Sequence, residues 1–415
     1  MERKSLAHAR GSASVPSRAR KQATYCLLIF TIFTGTLHNR VLRGFETQAV
    51  ADSLYKTGQF ANPFRYQTGP TAHLAPVFPL LLTSQMMVWG DGPAYETAKE
   101  VLSAFAASLQ YALLPVLAVA LGWDAITGVL ATALSIGMFL LLPTSVLPLE
   151  THGSWEHTYA ALGIVALTIL AANTIRQAKF SNQRAVAWGV GWGLYLLLIP
   201  SMALVYPVWL TNVVRRHMRF AALATLCLLL TLTPWTIRNL LVLGSPVWGR
   251  SNLGLELYVS NNDCAATAFA EMSKSGCHAR THPNASPTEA RRLKDAGEVR
   301  CNQQRMSDAF DWIGNHAGRF ASLTVERIRL FWFPDFGLGR AAWPIWLITL
   351  LGFAGLARCA VSNKLAAVLL GGLLAVYPLA YYPVQHVPRY RYPILWVSSL
   401  LAAQLARKRS HAIKI

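Results

Sequence analysis

The sequence predicts an all-α, polytopic membrane protein. Of its 415 residues, 53% are hydrophobic and only 14% are charged, which is too apolar for a soluble protein of this length. Apolar runs recur along most of the chain, and about 20 residues suffice for a helix to cross the hydrocarbon core of a bilayer. We therefore expect a bundle of about ten transmembrane helices. The candidate spans are 23–42, 97–120, 124–146, 157–175, 185–199, 201–213, 219–236, 342–358, 364–382 and 392–406.

The formal net charge of +19 does not indicate nucleic-acid binding, because the basic residues lie in short clusters at the ends of the apolar runs. Basic loops stay on the cytoplasmic side of a membrane, so we expect the disordered tail 1–22 and the tail 407–415 in the cytoplasm. The first apolar run is followed by His38, Asn39 and Arg40 and not by a small-residue cleavage site, so it is expected to remain as an anchor.

The basic clusters also predict which runs do not cross the membrane. The basic clusters all lie on the same side of the membrane under two conditions. The short run Val77–Trp89 must be an interfacial helix, and 185–213 must be a hairpin of two short spans broken at Pro200. The polar regions 39–96, 147–156 and 237–340 then face outward. This gives a transmembrane module 23–236 that includes the loop 39–96, an outer segment 237–340 and C-terminal helices 341–406.

The opening loop carries the carboxylate that we consider the best catalytic candidate. A helix is predicted over Phe45–Thr57, with Gly58 at the position of a C-terminal cap. Glu46 lies in the first turn, where the helix dipole favours its ionised form. Asp52 lies about 240° away around the helix, so it is expected to support the helix and not to pair with Glu46.

A second polar cluster lies in LPLETHGSWEHTYA, and it holds Glu150, His152, Glu156 and His157. Carboxylates and imidazoles close together can bind a divalent metal, although these residues match no defined ligand spacing. The alternative is a short, solvated loop. A divalent metal is therefore a candidate cofactor, and no cofactor is certain.

Interfacial arginines form a third group of candidates, since a guanidinium can bind a lipid phosphate through two hydrogen bonds. Arginine and aromatic residues also anchor membrane proteins at the interface without binding a substrate, and the sequence leaves both interpretations open. The group comprises Arg238, Arg250, Arg327, Arg389 and Arg391, together with His73. Three cysteines share the outer segment, and we expect a disulfide between Cys264 and Cys277 that leaves Cys301 free.

Several function classes are disfavoured. The predicted spans contain almost no Asp, Glu, Lys or Arg, whereas ion-coupled transporters place ionisable groups near the middle of the membrane. The sequence also contains no P-loop, no kinase motif set, no G-x-S-x-G elbow and no H-E-x-x-H motif. The polar chemistry is instead concentrated at the predicted outer surface.

Two blocks resemble the GT-C superfamily of membrane glycosyltransferases, in particular bacterial family 39 and aminoarabinose-transferase-like proteins. The first block is an acidic residue after the first span, a helix of the form AxSLYxTGxF at 51–60 and the segment APVFPLLL at 75–82. The second is TPWTIRN and SNLGLELYVSNN within 233–262. The chain departs from the pattern in having Glu46 where Asp is usual, and His73 and Ala75 where a Lys often precedes the Pro-rich segment.

The resemblance implies a GT-C-like bundle with juxtamembrane helices and a small α-rich outer segment, in a bacterial inner membrane. It implies an inverting glycosyltransferase that takes a sugar from a polyprenyl-phosphate donor, with a membrane lipid and an acceptor of unidentified class as partners and the active site on the extracytoplasmic face. A lipid-linked-glycan ligase, polymerase or flippase that does not depend on Glu46 is the alternative, and a scaffold protein would need none of these residues. Glu46 takes the catalytic place, and the candidate substrate-binding residues are His73, Glu150, Arg238, Asn239, Arg250, Glu256, Arg389 and Arg391.

Overall fold

The computed structural model describes residues 22, 24–32, 46–141, 155–176, 181–214, 217–335 and 342–407, and these residues form an all-α protein without a β-strand. A helical segment covers 24–32. The helices that follow, numbered α1 to α18, are Glu46–Thr57, Val77–Trp89, Pro93–Ala112, Leu114–Ala120, Ala125–Leu141, His157–Arg176, Asn182–Leu196, Val205–Val214, Met218–Leu243, Leu253–Ser260, Phe269–Lys274, Cys277–Thr281, Pro287–Ala296, Glu298–Asn315, Ala317–Trp332, Ala342–Ser362, Lys364–Val376 and Tyr392–Ala406.

Among the described residues, four helical stretches are long and apolar enough to cross a membrane: Pro93–Ala120, His157–Arg176, Met218–Leu243 and Ala342–Ser362. Large apolar side chains on these helices face outward, and Leu241 in α9 is 79% exposed. Such an apolar outer surface requires lipid contact, so this is a membrane protein. Within the residues that the structure describes, each predicted span falls on a helix or helical segment, while the number of crossings stays a prediction.

The direction of neighbouring helices explains the break at Pro200. Gly189 of α7 lies against Ala224 of α9, and one turn later Gly193 lies against Thr231, so α7 and α9 run in the same direction. The chain must therefore return between them, and α8 makes that return after the short 3-10 helix Pro200–Leu204. The predicted hairpin of two short helices has this geometry.

The basic clusters that the structure describes meet at one end of the bundle, which we call the basic end. Arg176 donates to the Ala120 carbonyl at 3.0 Å, and Arg407 pairs with Asp124 at 2.7 Å. Asn363, between α16 and α17, donates to the Leu121 carbonyl at 2.8 Å. These contacts join helix ends that are far apart in sequence, as expected if the clusters share one side of the membrane.

The opposite end carries α1, α2 and the outer helices α10 to α15, and we call residues 244–335 the cap. The cap has a small core of its own, which includes Val259, Met272, Leu293 and Cys301, and Phe64 of the opening loop packs into that core. The Glu298 carboxylate accepts hydrogen bonds from the Ala72 N–H and the Ser251 hydroxyl, both at 2.6 Å. The cap is therefore fastened directly to the opening loop.

The short helix α2 lies at this cap end. It is 13 residues long, and its Val77 N–H donates to the Leu197 carbonyl, just after α7, at 3.1 Å. Met87 and Val88 near its C-terminus are each 70% exposed. Its length and position agree with an interfacial helix, which is what the basic clusters predict.

Candidate active site

A cavity of about 560 Å³ lies between the helical bundle and the cap. Its titratable lining comes from parts of the chain that are distant in sequence: α1, the start of α6, the loop before α10, α10 itself and the 3-10 helix Pro388–Arg391. The wall also contains apolar side chains such as Ile199, Val247 and Val384. The titratable side chains and tyrosines that line it are Glu46, Glu156, His157, Arg250, Glu256, Tyr381, Arg389 and Tyr390.

Glu46 is held in this wall by two histidines. It occupies the first turn of α1, and the helix ends at Gly58, whose φ of 71° is the left-handed conformation that glycine adopts most easily. Its Oε2 lies 3.1 Å from His73 Nε2, and its Oε1 lies 3.7 Å from His282 Nε2. Burial opposes ionisation of Glu46, but the nearby His73, His282 and Arg389 outweigh burial and lower its pKa to about 2. The carboxylate is therefore ionised at neutral pH.

The partly buried Arg250 forms an ion pair with the buried Glu156 in the same wall. Burial raises the pKa of Glu156, but the Arg250 guanidinium has the greater effect, so the net shift is downward. Within the described part of the chain, Glu156 Oε2, Arg250 Nε and His157 Nδ1 are buried without a hydrogen-bond partner. Buried polar atoms are normally satisfied, so these three atoms indicate where a bound molecule would make contacts.

Arg389 and three aromatic rings form another part of the wall. The Arg389 guanidinium stacks over the Trp155 ring, 4.0 Å from its centroid. Tyr390 stacks on Tyr381 with 4.4 Å between ring centroids, and the Tyr381 hydroxyl lies 2.8 Å from that of Ser201. The result is a cation held on an aromatic surface beside the Arg250–Glu156 pair.

Glu256 is a second carboxylate in the cavity, and its surroundings differ from those of Glu46. It lies in the first turn of α10, and the Asn252 amide donates to its Oε1 at 3.3 Å. Burial raises the pKa of Glu256, and the negative charge of Glu46 adds to that rise. Two carboxyl groups in one site with opposite pKa shifts are typical of sites that use one group as a base and the other as a proton donor.

Three of the predicted site residues make structural contacts outside the cavity lining. Arg238 donates to the carbonyls of Thr71 and Phe60 at 2.7 and 2.8 Å, and its Asn239 neighbour donates to the Val247 carbonyl at 2.7 Å. Arg391 donates to the Trp332 carbonyl at 2.7 Å and to the hydroxyl of Thr349 at 2.6 Å. These side chains stabilise the loops around the cavity.

Arg327, another interfacial arginine, is also buried in structural contacts. Its guanidinium donates to the Pro383 carbonyl at 2.9 Å and to Asn261 Oδ1 at 3.1 Å. It therefore joins the cap to the loop before the last helix. Arg327 does not line the cavity, so its position does not support the predicted role in lipid binding.

Of the four candidate metal ligands, Glu150 and His152 lie outside the described residues. His157 lines the cavity, and Glu156 is engaged by Arg250. Among the residues that the structure describes, no group of three or more His, Cys, Asp or Glu side chains is arranged to hold a metal ion.

Sequence reasoning missed His282 and Glu298. His282 approaches Glu46 across 236 positions of sequence, and Glu298 binds the opening loop across more than 200. Neither residue lies in a recognisable motif, and both become relevant only because the cap folds back on the opening loop. The Cys264–Cys277 disulfide is present in the cap, and Cys301 is free and buried.

Neither a protein-family model nor a curated protein matches the sequence. Among solved structures, the archaeal oligosaccharyltransferase AglB from Archaeoglobus fulgidus, in complex with an inhibitory peptide and a dolichol-phosphate, matches with a TM-score of 0.53 and 14% identity over 94% of this chain and 50% of that chain. An Archaeoglobus fulgidus oligosaccharyltransferase tethered through a disulfide bond to an acceptor peptide with the NVT sequon matches with a TM-score of 0.51 and 12% identity over 92% of this chain and 49% of that chain.

ArnT from Cupriavidus metallidurans, solved with undecaprenyl phosphate, matches 94% of this chain and 78% of that one at 13% identity, with a TM-score of only 0.37. The fold assignment therefore rests on the oligosaccharyltransferase structures, of which this chain spans about half the length. The sequence resemblance predicted the same superfamily. These matches show that the chain shares the fold of about half of the archaeal oligosaccharyltransferase, a membrane glycosyltransferase fold of the kind that the sequence resemblance implies.

Proposed function

We propose that this protein is an integral-membrane, inverting glycosyltransferase. It transfers a sugar from a polyprenyl-phosphate donor to an acceptor on the extracytoplasmic face of the membrane. The observation that carries the proposal is the convergence of Glu46, Arg250 and Arg389 on one cavity at the cap end of an apolar bundle. One matching oligosaccharyltransferase structure holds a dolichol-phosphate and an inhibitory peptide, and another is tethered to an acceptor peptide, so a lipid phosphate and an acceptor are both bound by proteins of this fold.

In the proposed reaction, the acceptor hydroxyl attacks the anomeric carbon from the face opposite the phosphate. The new carbon–oxygen bond forms as the sugar–phosphate bond breaks, and polyprenyl phosphate leaves with the bonding electron pair. Glu46 takes the hydroxyl proton. Because Oε2 lies within hydrogen-bond distance of His73, Oε1 is the oxygen available to the acceptor.

The low pKa of Glu46 suits a late proton transfer. A carboxylate with a pKa of about 2 is a weak base toward a free alcohol. The hydroxyl becomes strongly acidic only as its bond to the sugar carbon forms, and at that stage an ionised, oriented carboxylate can accept the proton. A phosphate leaving group needs no proton, so the reaction requires a base and a cationic phosphate site but no strong acid.

Arg250 and Arg389 provide that cationic site. Arg389 is held over the Trp155 ring and Arg250 is held by Glu156, so both guanidinium groups are positioned before the donor binds. Preorganised cations stabilise the charge that develops on the leaving phosphate. Apolar lining residues such as Ile199 and Val384 connect this site to the bundle, where the polyprenyl chain would lie.

The direct test uses the purified protein in lipid nanodiscs with synthetic polyprenyl-phosphate hexoses and pentoses and a bacterial envelope extract as acceptor. Release of free polyprenyl phosphate is measured, because every acceptor yields this product. Glu46→Gln should reduce the rate by roughly 100- to 10,000-fold. Asp52→Asn is the matched control, since Asp52 lies in the same helix and accepts a hydrogen bond from Gln48 at 2.8 Å.

The same experiment separates the alternatives. A ligase or polymerase that relies on the arginines alone would still release the lipid carrier in Glu46→Gln and would lose this activity in Arg389→Ala, whereas a flippase breaks no sugar–phosphate bond and would release none. A scaffold protein would release no polyprenyl phosphate from any donor. Full activity of a correctly inserted Glu46→Gln variant would overturn the transferase proposal.

A further inference from the structure

Glu46 is contacted from two sides that belong to different parts of the chain. His73 comes from the opening loop, whereas His282 comes from the cap, and its Nε2 lies 3.7 Å from Glu46 Oε1. The Phe64 ring packs edge-on against both imidazoles, with ring centroids 4.7 Å from His73 and 5.5 Å from His282. The carboxylate is thus framed by two histidines and one phenylalanine before any substrate binds.

The orientation of His282 is fixed by two contacts, and one of its partners is itself held by the opening loop. The Asn284 N–H donates to His282 Nδ1 at 3.1 Å, so a neutral ring carries its hydrogen on Nε2, the atom that faces Glu46. The His282 ring stacks on the His278 ring with 4.6 Å between centroids. Asn284 itself is attached to the opening loop, because its Oδ1 accepts from the Arg65 N–H at 2.9 Å.

The disulfide fixes the segment that carries these rings. Cys277 is the first residue of the short helix α12, and the residue that follows this helix is His282, whose N–H donates to the His278 carbonyl at 3.0 Å. The bond to Cys264 ties the start of α12 to the turn after α10, where Asn262 Oδ1 accepts from the Cys264 N–H at 3.0 Å. The imidazole that faces the carboxylate therefore lies five positions after the cross-linked Cys277.

We infer that His282 is a positioning residue for Glu46, and that the Cys264–Cys277 disulfide acts on glycosyl transfer by holding His282 in place. This inference rests on the proposed function and assigns to the cap a direct part in the reaction. The Nε2–H of His282 limits the orientations of Oε1, the oxygen that takes the acceptor proton. A separation of 3.7 Å exceeds a hydrogen bond, so the contact is electrostatic and its strength depends on the position of α12.

The first experiment compares two substitutions at one position in the nanodisc assay. His282→Leu should lower kcat by about 10- to 100-fold with little change in the KM for the donor, because the base is misplaced and the donor site is intact. His282→Gln places an amide donor where Nε2–H was, so it should lose much less. Equal losses in both variants, or a change confined to KM, would contradict a positioning role.

The second experiment tests the disulfide. The Cys264→Ser/Cys277→Ser double variant should lower kcat to the same extent as His282→Leu, and Cys301→Ser, which removes a buried free cysteine of the same core, should not. If the disulfide acts through His282, combining the double variant with His282→Leu produces no further loss. Additive losses would show that the disulfide acts elsewhere.

Thermal melting needs no substrate, so it tests the role of His282 independently of the proposed function. The melting temperatures of Glu46→Gln, His282→Leu and the combined variant should be non-additive, because the two side chains interact. Additivity together with full kcat in His282→Leu would overturn the inference while Glu46→Gln remained inactive. Full activity of Glu46→Gln would instead overturn the proposed function.

Discussion

Glu46 and Glu256 line the same cavity, yet their surroundings move their pKa values in opposite directions. Glu46 faces two histidines and is ionised. Glu256 is buried close to Glu46, and burial combined with that negative charge favours its protonated form, against the opposing effect of His73, Arg250 and Arg389. A protonated Glu256 could donate a hydrogen bond to a sugar hydroxyl or to the phosphate of the donor.

Because the pKa values of Glu256 and Glu46 shift in opposite directions, the two residues should change the stability of the protein in opposite ways as the pH changes. A carboxyl group with a raised pKa in the folded state stabilises the fold at low pH, and this contribution is lost as the pH rises through the folded pKa. Glu256→Gln resembles the protonated group. We therefore expect the melting temperature of Glu256→Gln to rise relative to that of the wild type as the pH increases above 4.5, the ordinary pKa of a glutamate.

Glu46 should show the reverse behaviour in the same melting experiment. Its pKa falls from the usual 4.5 to about 2, so its stabilising contribution is present above pH 4.5 and is lost as the pH falls toward 2. Glu46→Gln should thus be less stable than the wild type throughout the range from pH 5 to 8. A melting temperature of Glu256→Gln that falls relative to that of the wild type as the pH rises would contradict the assignment of Glu256.

Two arginines in one 3-10 helix should respond differently to the same substitution. Arg389 lines the cavity, whereas Arg391 is buried and donates to Trp332 and Thr349. Arg389→Lys should raise the KM for the donor by roughly 10-fold, because lysine cannot stack on Trp155 or bind a phosphate with two parallel hydrogen bonds. The melting temperature of this variant should change little.

Arg391→Lys should instead destabilise the protein by about 2 kcal/mol and leave the KM unchanged, since it loses hydrogen bonds between a charged group and buried acceptors. Melting curves and donor kinetics on the two purified variants separate these outcomes. A raised KM for Arg391→Lys with a normal melting temperature would indicate that Arg391 binds the donor phosphate.

At the scale of the elements, the close approach of α7 and α9 depends on glycine. A Cβ on Gly189 would lie 2.1 Å from the Ala224 carbonyl oxygen, so the two backbones could not keep their present distance. This contact sets α7 and α9 side by side and places the 3-10 helix Pro200–Leu204 in the cavity wall.

A matched pair of substitutions tests this packing. Gly189→Ala should destabilise the protein by about 1–3 kcal/mol because of overpacking. Gly137→Ala in α5 has no atom within 4 Å of its new Cβ, so it should be neutral or slightly stabilising. Thermal unfolding of both variants is measured in the same detergent. Equal melting temperatures would show that α7 and α9 can move apart without a loss of stability.

At the scale of the whole molecule, the fold separates a basic end from a cap end. Arg176, Asn363 and Arg407 meet at the first, and Glu46 with the cap lies at the second. Basic residues stay in the cytoplasm, so the cavity should open to the extracytoplasmic face.

Cysteine labelling tests this orientation in a background where Cys26 and Cys227, the free cysteines that are not buried, are replaced by Ser. The exposed positions Thr57 and Arg280 at the cap end should react with a membrane-impermeant maleimide from outside the cell. The exposed positions Ser181 and Ser362 at the basic end should react only after the membrane is opened. Labelling of both pairs from the same side would overturn the topology.

Much of the architecture could be predicted from the sequence because it depends on local or additive properties. Apolar runs fix where helices form, basic clusters fix which helix ends lie together, and the break at Pro200 follows from the missing N–H and the fixed φ of proline. Glu46 could be singled out in the same way, since it is an acidic residue at a helix start in a polar loop between apolar runs. These signals require no knowledge of long-range contacts.

Only the tertiary structure decided which polar residues share the cavity. In the sequence, Arg238, Arg250, Arg389 and Arg391 look equivalent, but two line the cavity and two hold carbonyl groups. His282 reaches Glu46 only through the fold of the cap. The physical reason is that a guanidinium or an imidazole acquires its role from the partners around it, and partners hundreds of residues away leave no trace in local composition or periodicity.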